Sequence, residues 1–225
     1  MKRSNVNNYI LEAKEFLAKS KFAMPPFAWW SPEDWKNKGP EYKEIRENQL
    51  GWDLTDFGSG NYEKTGLLMF TIRNGNYNNP EGKPYAEKLL IVKPGQVTPY
   101  HFHKAKMEDI INRGFEGTLK VQVYCSIDEK TLDMESDVPV STDGRNYTVK
   151  AGTIISLGSG ESITLHPGIF HQFWSDDKML LIGEVSKVND DHNDNFFVDE
   201  VSRFPSIEED EEPVHLLMGD YDKYW

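Results

Sequence analysis

The sequence predicts a mainly β protein, a closed barrel or jelly roll preceded by helices and followed by an extended tail. Three features of the 225-residue chain carry that expectation. From Gly66 onward it breaks into short runs rich in β-branched and aromatic residues, which suit a pleated, half-buried surface. Asn-Gly, Pro-Glu-Gly, Lys-Pro-Gly, Asp-Gly and Gly-Ser-Gly separate those runs, the chemistry that tight antiparallel turns require. Apolar residues at helical spacing are confined to the start.

Taken in order, Ser4 is a suitable N-cap, and Ile10, Ala13, Phe16 and Leu17 recur with helical period, predicting an amphipathic helix over residues 5 to about 20. Ser31-Pro32-Glu33-Asp34 repeats helix-start chemistry, with Pro in the first turn and acids facing the helix dipole. Another helical stretch is expected from about Glu41 to Leu50, so the first 55 residues read as mainly helical. Strands are expected near 67–73, 88–93, 96–103, 108–113, 117–127, 147–150, 153–157, 161–165, 170–175 and 178–186. The run Glu208–Glu212 reads by default as a solvated segment. Phe196, Phe197, Phe204, Tyr221, Tyr224 and Trp225 around it imply a tail that packs on the barrel. One domain is expected over 1–225, with a helical extension (1–65), a β core (66–188) and a C-terminal segment (189–225).

Composition narrows the partners. A hydrophobic fraction of 38% with 12% aromatic residues suffices for a core. No apolar stretch approaches the ~20 residues of a membrane span. The start, Met-Lys-Arg-Ser-Asn, lacks the apolar centre of a signal peptide. Twenty-five basic against 37 acidic residues give a net charge of −12, which opposes nucleic acid and anionic membranes and leaves a neutral small molecule as the expected partner. The lone Cys125 excludes an intrachain disulfide, reads as a packed strand residue, and fits a cytoplasmic location.

The chemistry is concentrated in Gly95–Glu108 and Pro167–His171. Side chains alternate faces along a strand, so His101 and His103 project to the same side. Glu108 lies five residues past His103, an odd interval that a straight strand would send to the other face. A bend or change of strand must therefore fall at Lys104-Ala105-Lys106. His171 follows the turn signal Pro167-Gly168 and opens an aromatic strand. A single His-x-His is more often an ordinary packed pair; with Glu108 and His171 it reads as a four-ligand site for a divalent metal. Such a set leaves two positions of a six-coordinate ion open to adjacent oxygens of a substrate.

Two further ionisable residues border this pattern. Glu184 interrupts the apolar strand Met179-Leu-Leu-Ile-Gly-Glu-Val-Ser, where a carboxylate must be paired, solvated at the strand end, or functional. Lys106 stands between the ligands and alone would read as a solvated loop lysine. Beside a chelating metal the two compose a proton-transfer site, with a carboxylate as base and a cation steadying an enediolate.

Gly95 to about Gly114 and Gly158 to His171 resemble the two short motifs of the cupin superfamily, although Gly114 comes one residue early, the proline directly precedes Gly168, and no Asn follows His171. Over nearly the whole chain, Phe27-Ala-Trp-Trp-Ser-Pro, Pro99-Tyr-His-Phe-His-Lys-Ala-Lys-Met-Glu-Asp, Leu165-His-Pro-Gly-Ile-Phe-His, Gly183-Glu-Val-Ser, Asn189-Asp-Asp and Val201-Ser-Arg-Phe-Pro are similar to the cupin-type D-lyxose ketol-isomerases. The resemblance implies a cupin jelly-roll β-barrel and reversible conversion of D-lyxose to D-xylulose, with D-mannose to D-fructose as a second reaction. It implies a divalent metal, usually Mn2+, with Co2+ or Zn2+ able to occupy the same ligands: His101, His103, Glu108 and His171. Lys106 and Glu184 match proton-transfer positions. Lys88 and Asp191 match sugar-hydroxyl contacts, against the plainer readings of a surface strand lysine and a loop acid. Two other classes stay open: manganese or iron cupin oxidases, decarboxylases and dioxygenases, and a non-catalytic sugar-binding cupin. A base paired with an electrophile favours the isomerase. A homodimer is expected as the commonest soluble oligomer.

Overall fold

A computed structural model describes residues 1–79 and 81–225; Pro80, which opens the Pro-Glu-Gly turn signal, lies outside the described residues. The helical start comprises α1 (Arg3–Lys19), α2 (Pro32–Lys36) and α3 (Lys43–Glu47), with 3₁₀ turns at Pro26–Trp29 and Pro40–Tyr42. Val6, Ile10, Ala13 and Leu17 form the buried stripe of α1. Ser31 and Asp34 cap α2 reciprocally, side chain to backbone in both directions. Lys2, and not Ser4, occupies the N-cap of α1.

Strands β1 (Gly51–Thr55), β2 (Leu67–Arg73) and β3 (Tyr85–Val92) come next. After them run β4 (His101–Phe102), β5 (Glu108–Asn112), β6 (Leu119–Ser126) and β7 (Leu132–Asp133). A third group holds β8 (Val138–Thr142), β9 (Arg145–Val149), β10 (Ile154–Leu157) and β11 (Ser162–Leu165). The series ends with β12 (Ile169–Ser175), β13 (Leu180–Lys187) and β14 (Phe196–Phe197), before a last short helix α4 (Tyr221–Tyr224). All strand pairs are antiparallel, in one sheet ordered β1-β2-β3-β13-β5-β11-β8-β9 and another ordered β10-β6-β12-β4-β14. The inner faces of the two sheets share one core, with Leu90, Ile110, Ile163 and Ile182 meeting Val121, Val123, Ile155 and Phe173. This is the mainly β, cupin-like arrangement expected.

The helical start covers the outer face of one end of the larger sheet. Trp52, Leu68, Phe70, Leu89, Ile91 and Leu181 pack there against Val6, Ile10, Leu17 and Ala28. Burial on both faces explains why β2 reads as a continuous apolar run and not as an alternation.

Several expectations need correction. Residues 51–55 are a strand, paired to β2 from Gly51↔Thr71 to Thr55↔Leu67, so the helical stretch near Glu41–Leu50 ends at Glu47. The strand expected over 96–103 contracts to β4, because Pro94 and Pro99 lack the N–H a ladder needs and Gly95 turns at a φ of 69°. Pro139 concealed β8 in the same way. The acidic run Glu208–Glu212 is exposed, as expected, and it also bonds to α1: Arg3 binds Glu209 as well as Asp220, Ser4 binds Asp210, and Asn7 binds Glu211. α1 has no acid in its own first turn, and the run supplies negative charge at its positive end.

Gly51 joins α3 to β1 at a φ of 113°, and a Cβ there would collide with the Tyr221 hydroxyl, which donates to the Leu50 carbonyl at 2.8 Å. Gly51→Ala is therefore expected to cost at least about 1–2 kcal/mol from the backbone alone, read as a lower urea midpoint.

Candidate metal centre and active site

Strand geometry brings three imidazoles to one point. His101 on β4 lies directly opposite His171 on β12, and both face the interior. His103 follows on the same face, and one ring nitrogen from each of the three lies within 4.8 Å of the others. Glu108 arrives from the facing sheet at the start of β5, so the odd interval after His103 corresponds to a change of sheet. Its Oε1 stands 3.1 Å from His171 Nε2 and 3.4 Å from His103 Nε2.

Each imidazole has its tautomer fixed by a backbone carbonyl, which can only accept. Nδ1–H donates to Pro99 O in His101 (2.9 Å), to Asp194 O in His103 (2.6 Å) and to Ile169 O in His171 (3.0 Å). Every Nε2 is left with its lone pair pointing inward. His171 Nε2 is buried without a hydrogen-bond partner, an orphaned acceptor that a cation would satisfy. A carboxylate oxygen facing imidazole lone pairs makes the same demand. These donors fit a divalent metal.

A buried ionic cluster adjoins the imidazoles. Lys106 donates to Glu184 Oε1 (2.8 Å) and Asn189 Oδ1 (3.2 Å), and forms an ion pair with Glu108 Oε2 at 2.7 Å. Burial opposes its charge, yet Glu108, Glu184 and Asp191 outweigh burial and hold its pKa above the usual lysine value. Lys88, opposite Glu184 in register, lies 3.8 Å from Glu184 and 3.5 Å from Asp191. Lys88 is 3% exposed and so no surface lysine, while Asp191 does stand in a turn but keeps its side chain 8% exposed between Lys88 and Arg203. Burial would raise the pKa of Asp191, but Lys88 and Arg203 keep it well below the carboxylate range.

All eight residues singled out from the sequence converge here. His101, His103, Lys106, Glu108, Lys88, Glu184 and Asp191 line one cavity, and His171 abuts it through Glu108. A larger cleft of about 420 Å³, lined by Asp53, shares no lining residue with this cavity and carries no imidazole cluster among the described residues. Sequence reasoning missed Arg203, whose Nη2 bridges Asp53 (2.7 Å) and Asp191 (3.0 Å). It also missed Asp53, Asn189 and Asp194. Asp53 sits in the apolar strand Gly51-Trp-Asp-Leu-Thr, and the argument that singled out Glu184 applies to it equally.

Lys88, Lys106 and Arg203 oppose Glu108, Glu184, Asp191 and Asp53, one formal negative charge in excess. A divalent ion held there would leave one positive charge.

Burial, then His171 and His103, lowers the pKa of His101 well below the histidine value, and burial lowers that of His215. Both therefore bind fewer protons when folded than when unfolded. Their contribution to stability is complete above the unfolded value of about 6.5 and is lost as pH falls through the folded values. The urea midpoint of the metal-free protein is expected to fall steadily from pH 7 to pH 5.

The fold is cupin-like, and its site joins three imidazoles and a carboxylate to a buried ionic cluster. The chain belongs to the D-lyxose isomerase family, whose sequence model matches residues 1–221. It is 43% identical over 228 aligned residues to the D-lyxose/D-mannose isomerase of Serratia proteamaculans, covering 98% of each chain. Identity to the D-lyxose/D-mannose isomerase of Escherichia coli O157:H7 is 40%, covering both chains fully. Among solved structures, the unliganded L-ribose isomerase of Cellulomonas parahominis superposes with a TM-score of 0.60 at 16% identity, over 92% of this chain and 98% of that one. The L-ribose isomerase of Acinetobacter sp. DL28 with L-ribose gives 0.58 at 16% identity over the same shares. At that identity the likeness shows the fold alone. The chain is an aldose–ketose isomerase, which sets aside the oxygen-using and non-catalytic readings. No helix among the described residues is long and apolar enough to cross a membrane.

Proposed function

We propose that the protein interconverts D-lyxose and D-xylulose, and D-mannose and D-fructose, by proton transfer through an enediolate. The observation that carries this reading is the contact between Lys106 and Glu184 beside the converging imidazoles. His101, His103, Glu108 and His171 would hold a divalent ion, Mn2+ by its preference for mixed nitrogen and oxygen donors, with Co2+ and Zn2+ also satisfied. When bound, the ion supplies Lewis acidity toward adjacent sugar oxygens. Glu184 removes the proton from C2 of the aldose and returns it to C1, while the hydroxyl proton of O2 passes to O1, so that atoms and charge balance. Lys106, charged throughout, donates to the oxygen on which negative charge develops. Lys88 and Asp191 receive the more distant hydroxyls. Arg203 Nη1, buried in the cavity wall without a partner, offers one more donor.

The chain is read as a single working domain, because Asn189, Asp191 and Arg203 from the C-terminal segment enter the same cluster as the barrel residues. A cytoplasmic homodimer completes the proposal, supported by the lone cysteine and by the prevalence of two-fold symmetry.

Anaerobic incubation of the Mn2+-loaded protein with D-lyxose in D₂O should yield D-xylulose carrying deuterium at C1, seen by NMR. Chelation should abolish turnover and Mn2+ should restore it. A strict requirement for O₂ would sink the reading.

A further inference from the structure

The residues between His103 and Glu108 must reverse the chain, carry it from one sheet to the other, and place Lys106 between two carboxylates. Nothing in Lys104-Ala105-Lys106 favours one such conformation: the three residues carry no glycine or proline, and flexible side chains flank an alanine. The bend is held from outside. Asp194, 7% exposed and about 90 residues away in sequence, turns its carboxylate onto three successive backbone amides. Oδ1 accepts from Lys104 N (2.8 Å) and Ala105 N (3.0 Å), and Oδ2 accepts from Lys106 N (2.9 Å). The carbonyl of the same residue takes the Nδ1–H of His103 at 2.6 Å.

We propose that Asp194 is the positioning residue of the site, setting a metal-binding imidazole through its carbonyl and the Lys106 ammonium through its carboxylate. Its own placement comes from a turn closed by the bond from Asp194 N to Asp190 O at 3.0 Å. That turn also carries Asp191, the partner of Lys88 and Arg203. One six-residue turn, Asp190–Asn195, therefore ties the metal side of the cavity to the sugar side. Residues that orient metal ligands in this way typically change affinity or rate by about 10- to 100-fold when removed.

The inference rests on the isomerase reading for its kinetic part, and on the imidazole geometry alone for its metal part. Two variants separate the roles. Asp194→Asn keeps an oxygen for Lys104 and Ala105 but presents an NH₂ group to the Lys106 amide. It should bind metal nearly as the wild type does, while kcat per bound metal falls roughly tenfold or more with little change in KM. Asp194→Ala keeps the backbone bonds to Asp190 and His103 but cuts the carboxylate tie between the turn and the bend, and should weaken Co2+ and Mn2+ binding roughly 10- to 100-fold and alter the visible spectrum of bound Co2+. Thermal unfolding of both metal-free variants measures any purely structural effect. If Asp194→Ala does not fold, Asp194→Asn decides through kcat per bound metal.

Wild-type metal affinity and Co2+ spectrum in the alanine variant would overturn the proposal. So would a lowered unfolding temperature with kcat per bound metal unchanged in both. If the wild type fails to turn over sugars while Asp194→Ala still weakens metal binding, the isomerase reading falls and the positioning of His103 stands.

Discussion

Glu184→Gln is expected to lower kcat roughly 10²- to 10⁴-fold while the bound metal remains at the wild-type level. Glu184 faces the interior from β13, flanked on that face by Ile182 and Ser186, and is 5% exposed. It touches no imidazole; its contacts are Lys106 at 2.8 Å and Lys88 at 3.8 Å. Glutamine has nearly the same shape and can still accept from Lys106, so the pair survives in geometry. What the substitution removes is the capacity to take up a proton. Lys106 retains its carboxylate contact to Glu108 at 2.7 Å and stays charged. KM should therefore move little, because sugar binding and charge stabilisation are left in place. Steady-state kinetics beside metal analysis of the same preparation checks this. Turnover within tenfold of wild type would remove Glu184 as the base, and loss of metal would recast it as a support of the ligand set.

Local period decided what could be read from the sequence. The two-residue spacing of His101 and His103 specifies a shared face in any strand, and the five-residue gap to Glu108 specifies a break. The structure realises that break as the passage from β4 to β5 in the facing sheet. Glu184 was legible because an apolar strand isolates it. Arg203 and Asp194 were not, since each acts on groups 12 to 150 residues away and neither lies in a periodic segment. β1 escaped for a related reason: Gly51-Trp-Asp-Leu-Thr becomes a strand through its pairing with β2, and five residues are too few to reveal a period of two. The acidic run is exposed, as its charge density implied, but the local sequence does not show that it also meets a cationic partner. Arg3, fully buried between Glu209 and Asp220, is that partner.

Arg203→Met should destabilise the protein by about 3–5 kcal/mol at neutral pH, the range found when one member of a buried ionic network is deleted. Arg203 is the cation between Asp53 and Asp191, and the three side chains are 9%, 7% and 8% exposed, too little for solvent to screen the loss. Methionine fills similar volume, so the deficit would report charge and hydrogen bonding more than a cavity. The deficit should depend on pH. In the wild type, burial would raise the pKa of Asp191 and Lys88 and Arg203 depress it below the carboxylate range. Its stabilising contribution is present above the unfolded value of about 3.9 and is lost as pH falls through the lower folded value. Without Arg203 the folded pKa rises, Asp191 takes up its proton at a higher pH, and the variant sheds its buried charge before the wild type does. The stability gap between the two should accordingly be widest near pH 7 and narrow toward pH 4, as urea unfolding would record. A gap that stays constant across that range would mean that packing, and not the Asp53–Arg203–Asp191 network, is what the arginine supplies. Arg203→Lys separates charge from donor count. An ammonium can still stand between the two carboxylates, so most of the stability should return, whereas the unpartnered Nη1 facing the cavity is gone and KM for the sugar should stay raised.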